Sequence, residues 1–200
     1  MRSYDFSDIR DRREAFIARH GALKKERSSW ITHWSDISKH VLPRNGRFFV
    51  TDRNRTGASR YNKIYDNTGT RALRTLGAGM QAGATNPARP WFRLTASDPD
   101  LGSYYPVRQW LDDVVDRMQR VFARSNTYRA LHQMYEELGA FGTSVSIVLP
   151  DFNNVIHHYP VVCGEYSLQQ DYQGKIVGCY REFEKTIGET GKEFGLKNCS

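Results

Sequence analysis

The residues best suited to metal or acid–base chemistry are two adjacent histidines, His157 and His158, with Cys163 close behind them. They lie in a segment that reads as a strand, and successive side chains of a strand point to opposite faces of the sheet. The two imidazoles therefore cannot easily share one ion, and no Cys-x-x-Cys or His-x-x-x-His spacing accompanies them. We interpret them as ordinary surface and core histidines and expect no metal and no cofactor.

Gly191-Lys192 resembles the end of a phosphate-binding loop, but the remainder of that motif is missing. The motif needs an earlier glycine, where this chain has Thr186, and a following Ser or Thr, where it has Glu193. Nucleotide binding by such a loop is therefore not expected.

Two acid pairs, Asp112-Asp113 and Glu136-Glu137, fall in segments with helical apolar stripes. We interpret both pairs as the solvated faces of those helices. No Gly-x-Ser-x-Gly motif and no plausible Cys/His pair is present, so no catalytic residues are assigned and the sequence argues against an enzyme.

The strongest charged feature is residues 44–63, which hold six basic residues and one acid and show no helical period. Arginines interleaved with aromatic residues suit phosphate contact and base stacking, whereas a solvated loop, or one pairing with acids of a neighbouring subunit, fits the same composition. The candidate residues for contact with DNA or a partner are Arg44, Arg47, Arg53, Arg55, Arg60 and Lys63.

Composition limits the class of protein. The 200 residues are 39% hydrophobic and carry 29 basic against 22 acidic side chains, for a net charge of +7 that favours an anionic partner. Three widely spaced cysteines indicate reduced thiols and a cytosolic origin. No apolar run is long enough for a membrane anchor, and the charged N-terminus does not resemble a signal peptide.

Apolar spacing predicts helices over the first part of the chain. One spans Phe6 to Leu23, and the pattern resumes from Trp30 until Pro43 ends it. Further helices are expected over 68–84, 107–122 and 127–141, the last two as a hairpin. From residue 144 the period changes to two, and strands are expected over 144–149, 155–162, 165–170 and 175–185. Helices followed by an antiparallel sheet define an α+β fold.

The 68–84 helix is unusually rich in small residues. Asp66, Asn67 or Thr68 can cap its start. Glycine inside a helix costs roughly 0.5–1 kcal/mol relative to alanine, so repeated glycines need compensation, and very close approach of a neighbouring helix supplies it. We predict a packing joint made by Gly77, Gly79, Gly83, Trp91 and Phe92.

The order of these pieces resembles the portal, or head-to-tail connector, proteins of short-tailed bacteriophages over roughly residues 5–185. No single motif is decisive, and the resemblance rests on an ordered set: His40–Gly46, Tyr65–Leu73, Asn86–Leu94, Val107–Leu111, Ser125–Tyr128 and Glu137–Thr143.

This resemblance implies a homo-oligomeric ring, usually of twelve subunits, at one vertex of the capsid. Double-stranded DNA enters such a ring through the terminase motor and leaves through it at ejection, and the major capsid protein and tail adaptor proteins are the other partners. The protein would be made in the bacterial cytoplasm, reside in the virion and have no catalytic centre.

The resemblance also implies a division of the chain. Residues 1–43 form an N-terminal helical segment, 44–65 a basic loop, 66–142 a helical wing region and 143–200 a β-rich wing region. Portal proteins are several hundred residues long, so we expect this chain to continue beyond Ser200. The alternative is a stand-alone basic nucleic-acid-binding α+β module that uses the same loop.

Overall fold

The computed structural model describes residues 9–43 and 64–195, and these residues form six helices and four strands. The helices are α1 (Ile9–His40), α2 (Thr68–Ala84), α3 (Pro99–Ser103), α4 (Tyr105–Arg124), α5 (Thr127–Phe141) and α6 (Ile187–Phe194). The strands are β1 (Val145–Asp151), β2 (Val155–Val161), β3 (Tyr166–Gln170) and β4 (Ile176–Arg181). Five helices precede four antiparallel strands, which confirms the predicted α+β class.

The described chain divides into two compact units. Residues 9–31 and 164–195 belong to the first unit, and residues 32–43 and 64–163 belong to the second. Helix α1 contributes to both units. It is continuous, whereas the sequence pattern predicts an interruption between residues 23 and 30. The polar residues there lie on exposed turns and favour solvent without breaking the helix.

In the second unit, helices α2, α4 and α5 form the part that precedes the strands. Helix α2 has the predicted bounds, and α4 and α5 are joined by the short Ser125-Asn126 turn as expected. The buried side chains of this unit include Leu73, Val115 and Phe141, one from each helix. Each of the three apolar stripes therefore contributes a buried side chain to this unit.

Strands β1 and β2 form a separate two-stranded antiparallel sheet whose outer edges are largely blocked. Asn126 Nδ2 donates to the carbonyl of His158 at 2.7 Å, and the His158 N–H donates to Asn126 Oδ1 at 2.8 Å. Both backbone groups of His158 thus point away from β1 and are satisfied by one side chain. Pro160 and Pro150 lie at the equivalent outward positions of β2 and β1, where neither can donate to a further strand.

In the first unit, the β3–β4 sheet packs on the N-terminal part of α1. The rings of Phe16 and His20 lie 6.4 and 6.0 Å from that of Tyr180. Lys24 Nζ contacts Glu182 Oε2 at 2.8 Å. The sequence pattern predicts one sheet, but two sheets form, because β1 pairs only with β2 and β3 only with β4.

Helix α6 follows the last predicted strand, in a stretch for which the sequence pattern predicts no helix or strand. Its start carries a capping box, in which Thr186 Oγ1 accepts from the Glu189 N–H at 3.4 Å and Glu189 Oε2 accepts from the Thr186 N–H at 3.1 Å. The Thr186 N–H and then its hydroxyl, which also donates to Glu189 Oε2 at 3.0 Å, hold the pKa of Glu189 below its usual value. The Thr-x-x-Glu spacing is the sequence signal for the start of this helix. Gly188 and Gly191 weaken the prediction, because glycine has low helix propensity.

Within residues 9–43 and 64–195, no helix is long and apolar enough to cross a membrane.

We predict that Asn126→Ala destabilises the protein by about 1–3 kcal/mol, because it leaves the His158 N–H and carbonyl without their shared partner. Urea unfolding followed by circular dichroism measures this loss. Asn153→Ala is the matched control, since Asn153 is an exposed asparagine in the turn between β1 and β2. This substitution should change the stability by less than about 0.5 kcal/mol. If the two substitutions change the stability equally, the hydrogen bonds between Asn126 and His158 do not stabilise the protein.

Candidate functional site

The sequence points to two candidate regions, and the structure describes one of them. All six candidate contact residues of the basic segment, Arg44, Arg47, Arg53, Arg55, Arg60 and Lys63, lie outside the described residues. The candidate packing joint lies wholly within them.

An acidic residue just before helix α2 accepts a hydrogen bond from the first N–H group of the helix. The Thr68 N–H donates to Asp66 Oδ1 at 3.2 Å. Hydrogen bonds from Thr68, from its side chain above all, hold the pKa of Asp66 below its usual value. A carboxylate that stays ionised at a helix N-terminus also complements the helix dipole.

Gly77 lies at a close contact between α2 and α5. It is buried, and a Cβ built on it would lie 3.0 Å from Glu136 Cγ and 3.6 Å from the Glu136 backbone nitrogen. The same Cβ would lie 3.7 Å from His132 Cε1. A side chain at this position would force Glu136 to move, so the lack of one permits the observed contact.

A second glycine makes the approach reciprocal. A Cβ on Gly139 of α5 would lie 2.9 Å from Leu76 Cδ2 and 3.0 Å from Leu73 Cδ1. Each helix thus offers a glycine to the side chains of the other. The sequence pattern does not predict this half of the joint, because the two leucines that contact Gly139 lie on a different helix.

Gly79 and Gly83 lie on a different side of α2. Both are exposed, and no heavy atom lies within 4 Å of a Cβ built on either one. Within the described part of the chain, the joint with α5 therefore uses Gly77 and leaves the other two glycines open.

Polar side chains extend the joint beyond Gly77. Gln81 Nε2 donates to the Tyr128 carbonyl at 3.0 Å, and Gln81 Oε1 lies 3.0 Å from His132 Nδ1, which must be the donor. One turn later, the hydroxyls of Thr85 and Tyr135 lie 3.1 Å apart. These bonds fix the rotation of α2 against α5 as well as the distance between them.

Trp91 and Phe92 hold the chain where it leaves α2. Their rings lie 4.8 Å apart in an edge-to-face arrangement, and both lie about 6 Å from the ring of Phe122 on α4. Trp91 Nε1 also donates to the Tyr128 hydroxyl at 3.4 Å. The pair therefore links the extended segment after α2 to both helices of the α4–α5 hairpin.

The acid pair Glu136-Glu137 does not have the solvent exposure that the sequence pattern predicts. Glu137 has no exposed surface, so the interpretation of Glu136-Glu137 as a solvated face is wrong. Gln133 Nε2 donates to Glu137 Oε1 at 3.3 Å from one turn earlier on α5. Helical periodicity alone does not reveal that a carboxylate is buried.

The two histidines occupy opposite faces of β2, as their adjacency requires. His157 is exposed, whereas burial, and then the charge of His157, lowers the pKa of His158. In the part of the chain that the structure describes, no three His, Cys, Asp or Glu side chains are grouped so that they could hold a metal ion. The described geometry is one of packing and positioning.

The match to known proteins covers most of the chain. The family model of bacteriophage head to tail connecting protein matches residues 13–200, and the chain therefore belongs to this family. A probable portal protein of Bordetella phage BPP-1 is 56% identical over 188 residues. A portal protein of Salmonella phage epsilon15 is 43% identical over 188 residues. Each alignment covers 94% of this chain and 34% of the relative, so the chain spans about a third of their length.

We predict opposite effects of one substitution at two positions of α2. Gly79→Ala should stabilise the chain by about 0.5–1 kcal/mol, because its Cβ meets open space and alanine favours the helix. Gly77→Ala should destabilise it by about 1 kcal/mol, because overpacking against Glu136 outweighs that gain. Urea unfolding of both variants tests this, and equal stabilisation by both would refute the close approach at Gly77.

Proposed function

We propose that this chain is the N-terminal part of a portal subunit, which assembles into a ring at one vertex of the phage capsid. The observation that carries the proposal is the 56% and 43% identity to two proteins named as portal proteins, each over 188 residues. Identity at that level over 94% of the chain supports a shared architecture and role.

The remaining parts of the proposal follow from the resemblance. The ring has twelve subunits and conducts double-stranded DNA during packaging and ejection. Its other partners are the major capsid protein, the terminase and the tail adaptor proteins. The protein is made in the host cytoplasm and resides in the virion, and it performs no catalysis.

The same proposal assigns the segments of the chain. Residues 1–43 form a helical segment, 44–65 a basic loop, and 66–142 and 143–200 the helical and β-rich parts of the wing. Structure supports a scaffold role in the second unit, because its helices are fixed by reciprocal glycines and an aromatic cluster.

We assign the glycines of α2 to two joints. Gly77, with Trp91 and Phe92, belongs to the joint within the subunit, where its missing side chain admits α5. Gly79 and Gly83 are one turn apart on an exposed part of the helix with open space around them. We propose that this side of α2 meets a neighbouring subunit, where the small residues allow close backbone approach.

The product of the complete reading frame that encodes this chain should form closed rings in negative-stain images. Gly79→Leu with Gly83→Leu should abolish ring formation while the subunit keeps its helical circular dichroism spectrum, because two large side chains separate the apposed surfaces. Gly21→Leu is the control, since Gly21 is also a helical glycine with open space at its Cβ. If the double variant still forms rings, Gly79 and Gly83 do not lie in the contact between subunits.

A monomeric product that binds short DNA duplexes at low salt would contradict the proposal of ring assembly. It would support a stand-alone nucleic-acid-binding module instead.

We propose that the basic segment contacts DNA. Changing Arg53, Arg55 and Arg60 to Ala should weaken DNA binding. The magnitude of the slope of log K against log salt should fall by about 3, because each lost phosphate contact reduces it by roughly one. Changing Arg117, Arg120 and Arg124 on α4 to Ala removes the same charge elsewhere. Equal effects of the two triple variants in a filter-binding salt titration would show that only net charge matters.

A further inference from the structure

Helix α4 presents a face of aromatic and acidic side chains that is exposed in the second unit. Tyr105 and Trp110 are 70% and 63% exposed, and Asp112, Asp113 and Asp116 are exposed as well. Spacings of three, four and seven residues place these side chains next to one another on one side of the helix. Tyrosine and tryptophan are enriched where proteins contact one another, so this face suits a protein partner.

The face is acidic although the chain is basic. Residues 98–116 carry five aspartates and one arginine, Arg108, whereas the whole chain has a net charge of +7. Complementary charges across a contact favour the right partner and disfavour wrong ones. The face of α4 therefore suits a basic surface.

The exposed side of α2 is such a surface. This helix contains two arginines, Arg71 and Arg74, both exposed, and no acid. Arg71, Thr75, Gly79 and Gly83 follow one another every four residues and form one row along the exposed side. The row is basic at its start and has no side-chain bulk at its end.

Antiparallel packing of α2 and α4 from two copies brings complementary groups together. At roughly 1.5 Å per residue, Gly83 lies about 18 Å along α2 from Arg71, and Tyr105 lies about 17 Å along α4 from Asp116. When Asp116 faces Arg71, the Tyr105 ring therefore lies over Gly83, where a side chain would meet open space.

The same register forms a second ion pair. Asp113 and Arg74 each lie three residues from the first pair, in the directions that antiparallel packing aligns. Parallel packing would also pair aspartates with arginines, but it would place Arg120 and Arg124 over the glycines and leave the Tyr105 ring uncovered. The match of ring to glycine therefore selects the antiparallel arrangement.

These two surfaces are exposed on the same unit, so they do not cover each other within one copy. We propose that the face of α4 in one subunit packs antiparallel against the exposed side of α2 in the next subunit. A contact between two different surfaces passes from copy to copy and closes into a ring when the rotation allows. This inference rests on the proposed ring and adds the surface that meets the α2 glycines.

The test uses the product of the complete reading frame and reverses one charge on each surface. Arg71→Asp and Asp116→Arg should each raise the subunit concentration needed for half-maximal ring formation by about tenfold or more, because like charges then face each other. The double variant should restore ring formation to within about threefold of the unchanged protein, because opposite charges face each other again.

Asp116→Arg combined with Arg19→Asp is the matched control, because Arg19 is an exposed arginine of α1. This combination has the same formal charge as the rescuing double variant and should stay defective in ring formation. Equal rescue by the two combinations would show that net charge, and not the contact of α2 with α4, controls assembly.

Cysteine cross-linking tests the direction of the packing. A copy carrying Gly83→Cys should form a disulfide with a copy carrying Tyr105→Cys, whereas neither copy should link to itself above the background of the unchanged chain. A disulfide between Gly83→Cys and Arg124→Cys copies instead would show parallel packing and overturn the proposed register.

The outcomes separate this contact from the proposed function. If rings form equally well from the unchanged protein and from both single reversals, the contact is wrong and the portal role stands. If the single reversals lower the free energy of unfolding of the monomer, the face of α4 packs within the subunit and the contact between copies is wrong. Absence of rings from the unchanged protein would contradict the proposed function and this contact together.

Discussion

The second unit depends on the close approach of two helices at a pair of glycines. Gly77 leaves room for Glu136, and Gly139 leaves room for Leu73 and Leu76, so a side chain at either glycine would displace these neighbours. A helical glycine costs free energy, and the packing gained by the approach offsets that cost. The position of α2 against α5 is therefore set by the absence of side chains at two places.

Other features of the unit follow from that position. With α2 held against α5, Gln81 reaches both Tyr128 and His132, and Thr85 reaches Tyr135. The chain then leaves α2 at a place where Trp91 contacts Tyr128 and Phe122. The α4–α5 turn in turn presents Asn126 to the edge of β2. One joint thus orients the helices, and the helices orient the sheet.

Much of the fold could be predicted because its local signals agree with one another. The α2 boundaries followed from capping residues and the Asn86-Pro87 break, and the α4–α5 hairpin followed from two stripes around a short polar turn. The strands followed from a change of period after Gly142, whose positive φ of 74° ends α5. In each case neighbouring residues decide the outcome.

The rest depends on contacts between distant residues. Nothing near Gly139 indicates that Leu73 and Leu76 will lie against it, and nothing near Glu137 indicates complete burial. Periodicity also cannot tell that four strands form two sheets, because pairing is decided by the edges, and Asn126 and the two prolines limit those edges. Likewise, the spacing of Gly77, Gly79 and Gly83 does not show which glycine faces a neighbour.

The most direct test of this account is native-state hydrogen exchange on the 200-residue chain. If the α2–α5 contact holds the second unit together, the amides of both helices exchange with the same opening free energy, and it is the highest in that unit. Gly139→Ala should then lower the protection of α2 and α5 by the same amount, since its Cβ would meet the side chains of Leu73 and Leu76. Protection that falls in α5 alone, or α2 amides that exchange freely while α5 stays protected, would contradict the central role of the glycine joint.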